Sequence, residues 1–177
     1  MRVVMTQAQP QFGNVVSARS RLGKALGGGA STIPKRPEPQ IVSTGLPQLM
    51  VPIKDLATLK QLPSGGAGAA LAKLLRELGT DCAMLFTLEA ETPEADVHCR
   101  MFAPGLGVTE DPATGSAAGA LGCYLVVHNL IRPHNGVAKI LIEQGIEIAR
   151  PSLIHVEVVV GNGGEINEVR VGGEAVT

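Results

Sequence analysis

Between residues 110 and 116 the chain reads Glu-Asp-Pro-Ala-Thr-Gly-Ser, and here residue types and spacing could do chemistry. Pro112 suits the first turn of a helix, where its missing N–H would have no partner anyway. Two readings follow. In the first, Asp111 is a cap that accepts the Thr114 N–H, Thr114 and Ser116 support the first turn, and nothing reacts. In the second, the backbone N–H groups of Thr114, Gly115, Ser116 and Ala117 face outward at the positive end of a helix dipole, a place that binds carboxylates. Gly115 then leaves room for a ligand, Ser116 adds a hydroxyl, and Asp111 could orient the bound acid or exchange a proton with it. The residues alone leave both readings open.

The helix that these residues would open runs over about 114–130. Small or apolar residues occupy every face of it, including Ala117, Ala118, Gly119, Ala120, Gly122 and Cys123, so it is expected to be buried. Glycine and alanine let neighbouring backbone come close, which suits strands wrapped around a central helix. Strands are expected at residues 3–7, 41–43, 49–53, 82–88, 97–102, 139–144, 154–160 and 166–171, with turns at Gly45, Gly105, Gly145 and residues 161–164. Helical spacing marks residues 17–26, 55–59 and 69–78, the last ending at Gly79. Pro10 and Gly13 read as breaks. The glycines at 27–29 and Pro34, Pro37 and Pro39 read as a linker, which divides the chain into an N-terminal arm and linker over 1–40 and a main lobe over 41–177. The fold class expected is α+β.

Of the 177 residues, 45% are hydrophobic and 18% charged, a composition that buries itself. The single Tyr, three Phe and no Trp offer little for stacking bases, and the net charge of -1 is spread without a basic stripe, so no nucleic-acid partner is expected. No apolar run reaches membrane-spanning length and the start lacks a leader pattern, so no membrane partner is expected either. Cys82, Cys99 and Cys123 are odd in number and sit in apolar runs, which fits buried reduced thiols and a cytoplasmic setting. His98, His128, His134 and His155 are not spaced as metal ligands, so their expected roles are surface or satisfied-core ones and no metal is proposed. Arg100 and Arg150 read as partners for surface carboxylates.

A resemblance to a known family rests on residues 101–104 (Met-Phe-Ala-Pro), Gly107 and residues 110–121, which match the signature of PhzF-like proteins, the phenazine-biosynthesis-like relatives of diaminopimelate epimerase. Residues 43–47 (Ser-Thr-Gly-Leu-Pro), 143–145 (Glu-Gln-Gly) and 150–152 (Arg-Pro-Ser) are similar to that family's flanking motifs, in the same order. The resemblance implies a diaminopimelate-epimerase-like fold of two lobes, each made of mostly antiparallel strands curled around a central helix, with substrate between the two helix starts. It implies that Asp111 and Ser116 face a small carboxylic acid, that Thr114 and Gly115 help hold it, and that no cofactor is used. The thiol-dependent branch has a cysteine where this chain has Thr114, which disfavours two-cysteine racemisation. The family's proton-shuttling glutamate and assisting histidine belong to the other lobe, for which residues 1–40 are too short. The chain also reads as cut short at residues 172–177. Two functions are therefore expected: an isomerase or epimerase domain moving a proton at carbon with a base supplied by a second lobe or second subunit, or a non-catalytic half-enzyme that binds small acids. Either way the open face is expected to pair, as a homodimer or with a second lobe.

Overall fold

The protein is described here by a computed structural model, which covers residues 2–174; the expectation about the chain's end falls partly on 175–177, outside the described residues. In chain order the strands are β1 (Arg2–Thr6), β2 (Gln11–Val15), β3 (Gln40–Ser43), β4 (Pro47–Pro52), β5 (Ala83–Thr87), β6 (Val97–Ala103), β7 (Val108–Asp111), β8 (Val137–Gln144), β9 (Ser152–Val160) and β10 (Ile166–Glu174). The helices are α1 (Arg19–Ala25), α2 (Leu56–Gln61), α3 (Ala69–Glu77) and α4 (Gly115–Val127). All ten strands join one sheet in the order β1-β10-β9-β8-β6-β5-β4-β3-β2, with β7 alongside β6. Only the β4–β5 and β6–β8 pairings are parallel. The rest are antiparallel, as the α+β reading expects.

This topology dictates a cup. β1 and β2 are consecutive in the chain yet lie at opposite ends of the sheet, and only residues 7–10 join them. A connection that short spans at most roughly 18 Å, so the ends of the sheet must curl towards each other. Inside the cup lies α4, touched by β3, β4, β8, β9 and β10. Its residues from Ala117 to Val126 are buried. The enclosure forces a glycine at position 122 and leaves little room for more at Gly119. A Cβ on Gly122 would lie 2.6 Å from Val156 Cγ1, and one on Gly119 would lie 3.1 Å from Val171 Cγ2 and 3.2 Å from Gln7 Cγ.

Alternation along the strands sends side chains to two cores. Val97, Cys99 and Met101 of β6 pack on the α4 side with Met84, Tyr124 and Val156. Phe102 joins a second core on the reverse face, where Leu22, Leu26, Leu59, Leu71 and Leu75 come from the region of α1, α2 and α3. The three short helices cover a face that would otherwise be bare, burying Leu22, Leu59, Leu71 and Leu75 there. Asp55 starts α2 by accepting the Thr58 N–H at 2.7 Å, and Gly79 ends α3 with φ of 84°.

Two local readings differ from the structure, and one strand went unread. Residues 1–40 do not stand off as an arm: β1 pairs with β10, β2 pairs with β3, and Leu22 and Leu26 are fully buried in the reverse core. β2 runs through Gly13, which reads as a breaker, because an exposed edge strand tolerates a glycine beside a register shift. β7 is a strand of only four residues, hidden between a glycine-rich turn and a helix start. The three cysteines are buried free thiols, and burial raises the pKa of Cys123 to about 12. Among the described residues no helix is long and apolar enough to cross a membrane.

Candidate functional site

β7 delivers Asp111 to the mouth of the cup, and four residues later α4 begins. The cap is not the one expected. Asp111 accepts a hydrogen bond from the Thr114 hydroxyl, not from its N–H. The Thr114 N–H donates instead to Gln144 Oε1 at 3.2 Å, at the end of β8. The same carboxamide donates through Nε2 to Asp111 O at 2.7 Å and to Thr114 Oγ1 at 3.1 Å. A single buried Gln144 thus ties both sides of the Pro112–Ala113 bend. Its neighbour Gly145, with φ of 82°, lies so close to Pro112 that a Cβ would come within 2.7 Å of the Pro112 carbonyl oxygen. Only glycine fits both demands.

The first backbone bond of α4 runs from Ala118 N–H to Thr114 O at 2.9 Å, so the amides of Gly115, Ser116 and Ala117 have no partner within the helix. Ser116 is fixed from behind: its Oγ accepts from Gln48 Nε2 at 3.1 Å, and its carbonyl accepts from Thr44 Oγ1 at 3.2 Å. Gly115 differs from Gly119 and Gly122. A Cβ there would meet only Val171 Cγ1, at an ordinary 3.6 Å, so packing does not require a glycine. It borders a cleft of about 720 Å³ shared with Ala113, Val3, Met5, Leu153, His155 and Glu174. Asp111, Thr114 and Ser116 lie beside Gly115 at the helix start, and of the four it is Gly115 that lines the cleft.

Gln144 and Gln48 were missed as parts of the site. Gln144 lies inside the 143–145 motif and Gln48 directly follows the 43–47 one, but glutamine carries no charge that would single it out.

Behind the site, on the reverse face of the sheet, lies a buried charged cluster. Because strands alternate, Glu110 and Glu143 point away from their neighbours Asp111 and Gln144. Arg100 of β6 grips Glu110 with two bonds, Nε to Oε1 at 2.9 Å and NH2 to Oε2 at 2.7 Å. It also donates to the carbonyls of Leu59 (3.0 Å) and Leu62 (2.6 Å) and to Ser64 Oγ at 3.1 Å. The expected surface pair is thus an interior one. His98 sits between two carboxylates, with Nδ1 2.6 Å from Glu143 Oε1 and Nε2 2.8 Å from Glu147 Oε1. Burial opposes its charge, but the bonds to Glu147 and Glu143 outweigh burial and raise its pKa above the ordinary imidazole value. Burial likewise pushes Glu143 and Glu147 up. Bonds from Thr92, the Glu91 N–H and His98 pull Glu143 lower on balance, and those from His98 and its own N–H do the same for Glu147. Among the described residues no group of three or more His, Cys, Asp or Glu side chains could hold a metal ion.

A curled sheet around a buried helix, whose open N-terminus carries a Thr-Gly-Ser segment and a neighbouring aspartate, defines the diaminopimelate-epimerase-like class. The chain belongs to the phenazine biosynthesis-like (PhzC-PhzF) family, whose model matches residues 1–177. It is 37% identical over 178 residues to an uncharacterized isomerase of Clostridium acetobutylicum, a match covering 99% of this chain and 58% of that protein. A trans-2,3-dihydro-3-hydroxyanthranilate isomerase of Pseudomonas chlororaphis is 45% identical over 78 residues, 44% of this chain and 27% of that protein. The crystal structure of a PhzF-family phenazine biosynthesis protein of Bacillus anthracis superposes with a TM-score of 0.88 at 22% identity, over 99% of this chain and 58% of that one. The chain thus spans somewhat over half the length of the Clostridium acetobutylicum and Bacillus anthracis proteins.

Proposed function

We propose that this chain is the acid-binding lobe of an isomerase that moves a proton at carbon in a small carboxylic acid. The Gly115 and Ser116 amides and the Ser116 and Thr114 hydroxyl region hold the carboxylate, and Asp111 is the catalytic polar partner. Donors aimed at the carboxylate stabilise the negative charge that spreads onto it when the neighbouring C–H proton leaves. A helix start abstracts no such proton itself. The base comes from a second lobe or second subunit, and the chemistry needs no cofactor. The observation that carries this reading is Gly115, a glycine that packing does not force, placed where a ligand must reach the amides. The substrate of the Pseudomonas chlororaphis relative, a hydroxylated cyclic carboxylic acid, supports the acid class.

Val3 is 50% exposed, Met5 64% and Leu153 46%, and all three border the same cleft. Apolar surface of this kind favours a cover. The cover is a second copy or a second lobe, and the chain acts in the cytoplasm. A second reading, a non-catalytic half-enzyme that keeps the acid pocket, is favoured by the same open face. Crystals grown with benzoate test the pocket: its carboxylate is expected within hydrogen-bonding distance of the Gly115 and Ser116 amides, and a benzoate bound elsewhere contradicts the proposal. Deuterium exchange at the carbon beside the carboxylate of a small acid that carries a proton there, followed by NMR on the chain paired with its cover, separates the two readings: exchange is expected of the isomerase lobe and none of the half-enzyme.

A further inference from the structure

The helix start is shaped from behind by one corner of the chain. Glu143, Gln144, Gly145 and Glu147 run from the end of β8 into a single tight turn, Ile146–Ile148. The two middle residues of that corner touch the site: Gln144 ties Thr114 to Asp111, and Gly145 lies against Pro112. The two flanking carboxylates are held by one ring, that of fully buried His98. We propose that His98 is a positioning residue for this site: with a proton on each ring nitrogen it clamps Glu143 and Glu147, and so holds the Gln144–Gly145 corner in the shape that presents the helix-start amides to an acid. The inference rests on the acid-binding reading of that helix start.

The chemistry of the clamp is simple. Both carboxylates accept, so both ring nitrogens must donate, and a neutral imidazole has only one N–H to give. Glu143 keeps other donors, the Glu91 and Thr92 amides at 2.6 and 2.8 Å. Glu147 Oε2 is buried with no hydrogen-bond partner, and Arg100 Nε stands 3.8 Å away. Loss of one ring proton therefore frees the Glu147 end, and with it the turn that seats Gly145 on Pro112. The other charged groups around the ring are Arg100 on β6 itself and Glu110 on β7, which neutralise each other. Lys60 of α2 lies further out, paired with Glu91 at 2.8 Å. None of them can replace the second donor to Glu147.

The test uses the full chain with His155→Gln, which removes the imidazole that borders the cleft, and sulfate as the probe anion. The His98 ring, the Thr114 amide and the sulfate affinity are followed by NMR between about pH 6 and 9, the range around an imidazole's ordinary titration. The Thr114 amide is expected to titrate with the midpoint of the His98 ring, and sulfate binding to weaken several-fold across it. A ring that titrates while the Thr114 amide and the affinity stay constant overturns the proposal, as does a ring already neutral at the acid end. If the ring stays charged throughout, His98→Gln supplies the single-donor state: several-fold weaker sulfate binding by a folded variant supports the clamp, and unchanged binding overturns it. Absence of sulfate binding at every pH removes the acid-binding reading, and the Thr114 titration still decides the clamp.

Discussion

At Ser116 two requirements meet, since its hydroxyl accepts from the buried Gln48 and keeps its own proton to donate to a bound acid. Ser116→Ala should weaken benzoate binding by about 1.5–3 kcal/mol, the worth of one hydrogen bond to a charged group. It should also lower stability by about 1–3 kcal/mol, because Gln48 Nε2 is left buried without an acceptor. Calorimetry of binding and thermal unfolding read the two effects separately. Gly115→Ala is expected to do the opposite to stability. A Cβ there meets nothing closer than 3.6 Å, and alanine is the better helix former by about 1 kcal/mol, so the variant should melt higher while binding acids less well. A lower melting temperature would mean that packing, not ligand access, requires this glycine. The start of α4 was legible in the sequence because Asp-Pro followed by Thr, Gly and Ser marks a helix N-terminus. Gln144 was not, since a glutamine on a strand reveals its role only when β8 is seen to end beside α4.

Among the elements, α4 and the strands around it make the sharpest demands. Gly122→Ala should destabilise by about 1–3 kcal/mol, as overpacking in a closed core does, although the same change on an exposed helix would stabilise. Gly119→Leu belongs to the same class, and chemical denaturation measures both. On the reverse face, Arg100→Met should cost about 3–5 kcal/mol because it strands Glu110 as a buried unpaired charge. The cluster also sets a pH dependence of stability. The raised pKa of His98 makes its contribution complete below the ordinary value of 6.5 and lost as pH climbs through the folded value. The lowered values of Glu143 and Glu147 make theirs complete above the ordinary 4.5 and lost as pH falls through the folded ones. Unfolding in urea across pH should therefore show the cluster's contribution greatest between those two ordinary values. A flat profile would deny the clamp its charge. The buried helix was legible from its apolar surround, whereas β2 and β7 were not: one carries a glycine on an exposed edge, and the other is four residues long with no alternation to read.

For the molecule as a whole, the cup explains why distant segments share one site. Residues 7–10 draw the ends of the sheet together, and the mouth this leaves holds Gly115 beside the exposed Val3 and Met5. The resemblance to two-lobed proteins is what raises the proposal of a cover. The integration of residues 1–40 was not, because pairing between β1 and β10 joins positions more than 160 residues apart that no local pattern connects. Light scattering should find a homodimer, and a monomer at high concentration would leave the open face uncovered and contradict the pairing. The most direct test of the central claim is a titration of the isotopically labelled chain with benzoate, watching the Gly115 and Ser116 amides by NMR. The account predicts that these two resonances move together and saturate, and that Gly115→Val, whose branched side chain would cover the amides, abolishes the movement without unfolding the chain. Resonances of Gly115 and Ser116 that stay fixed in the folded protein, while benzoate shifts others or none, would contradict it.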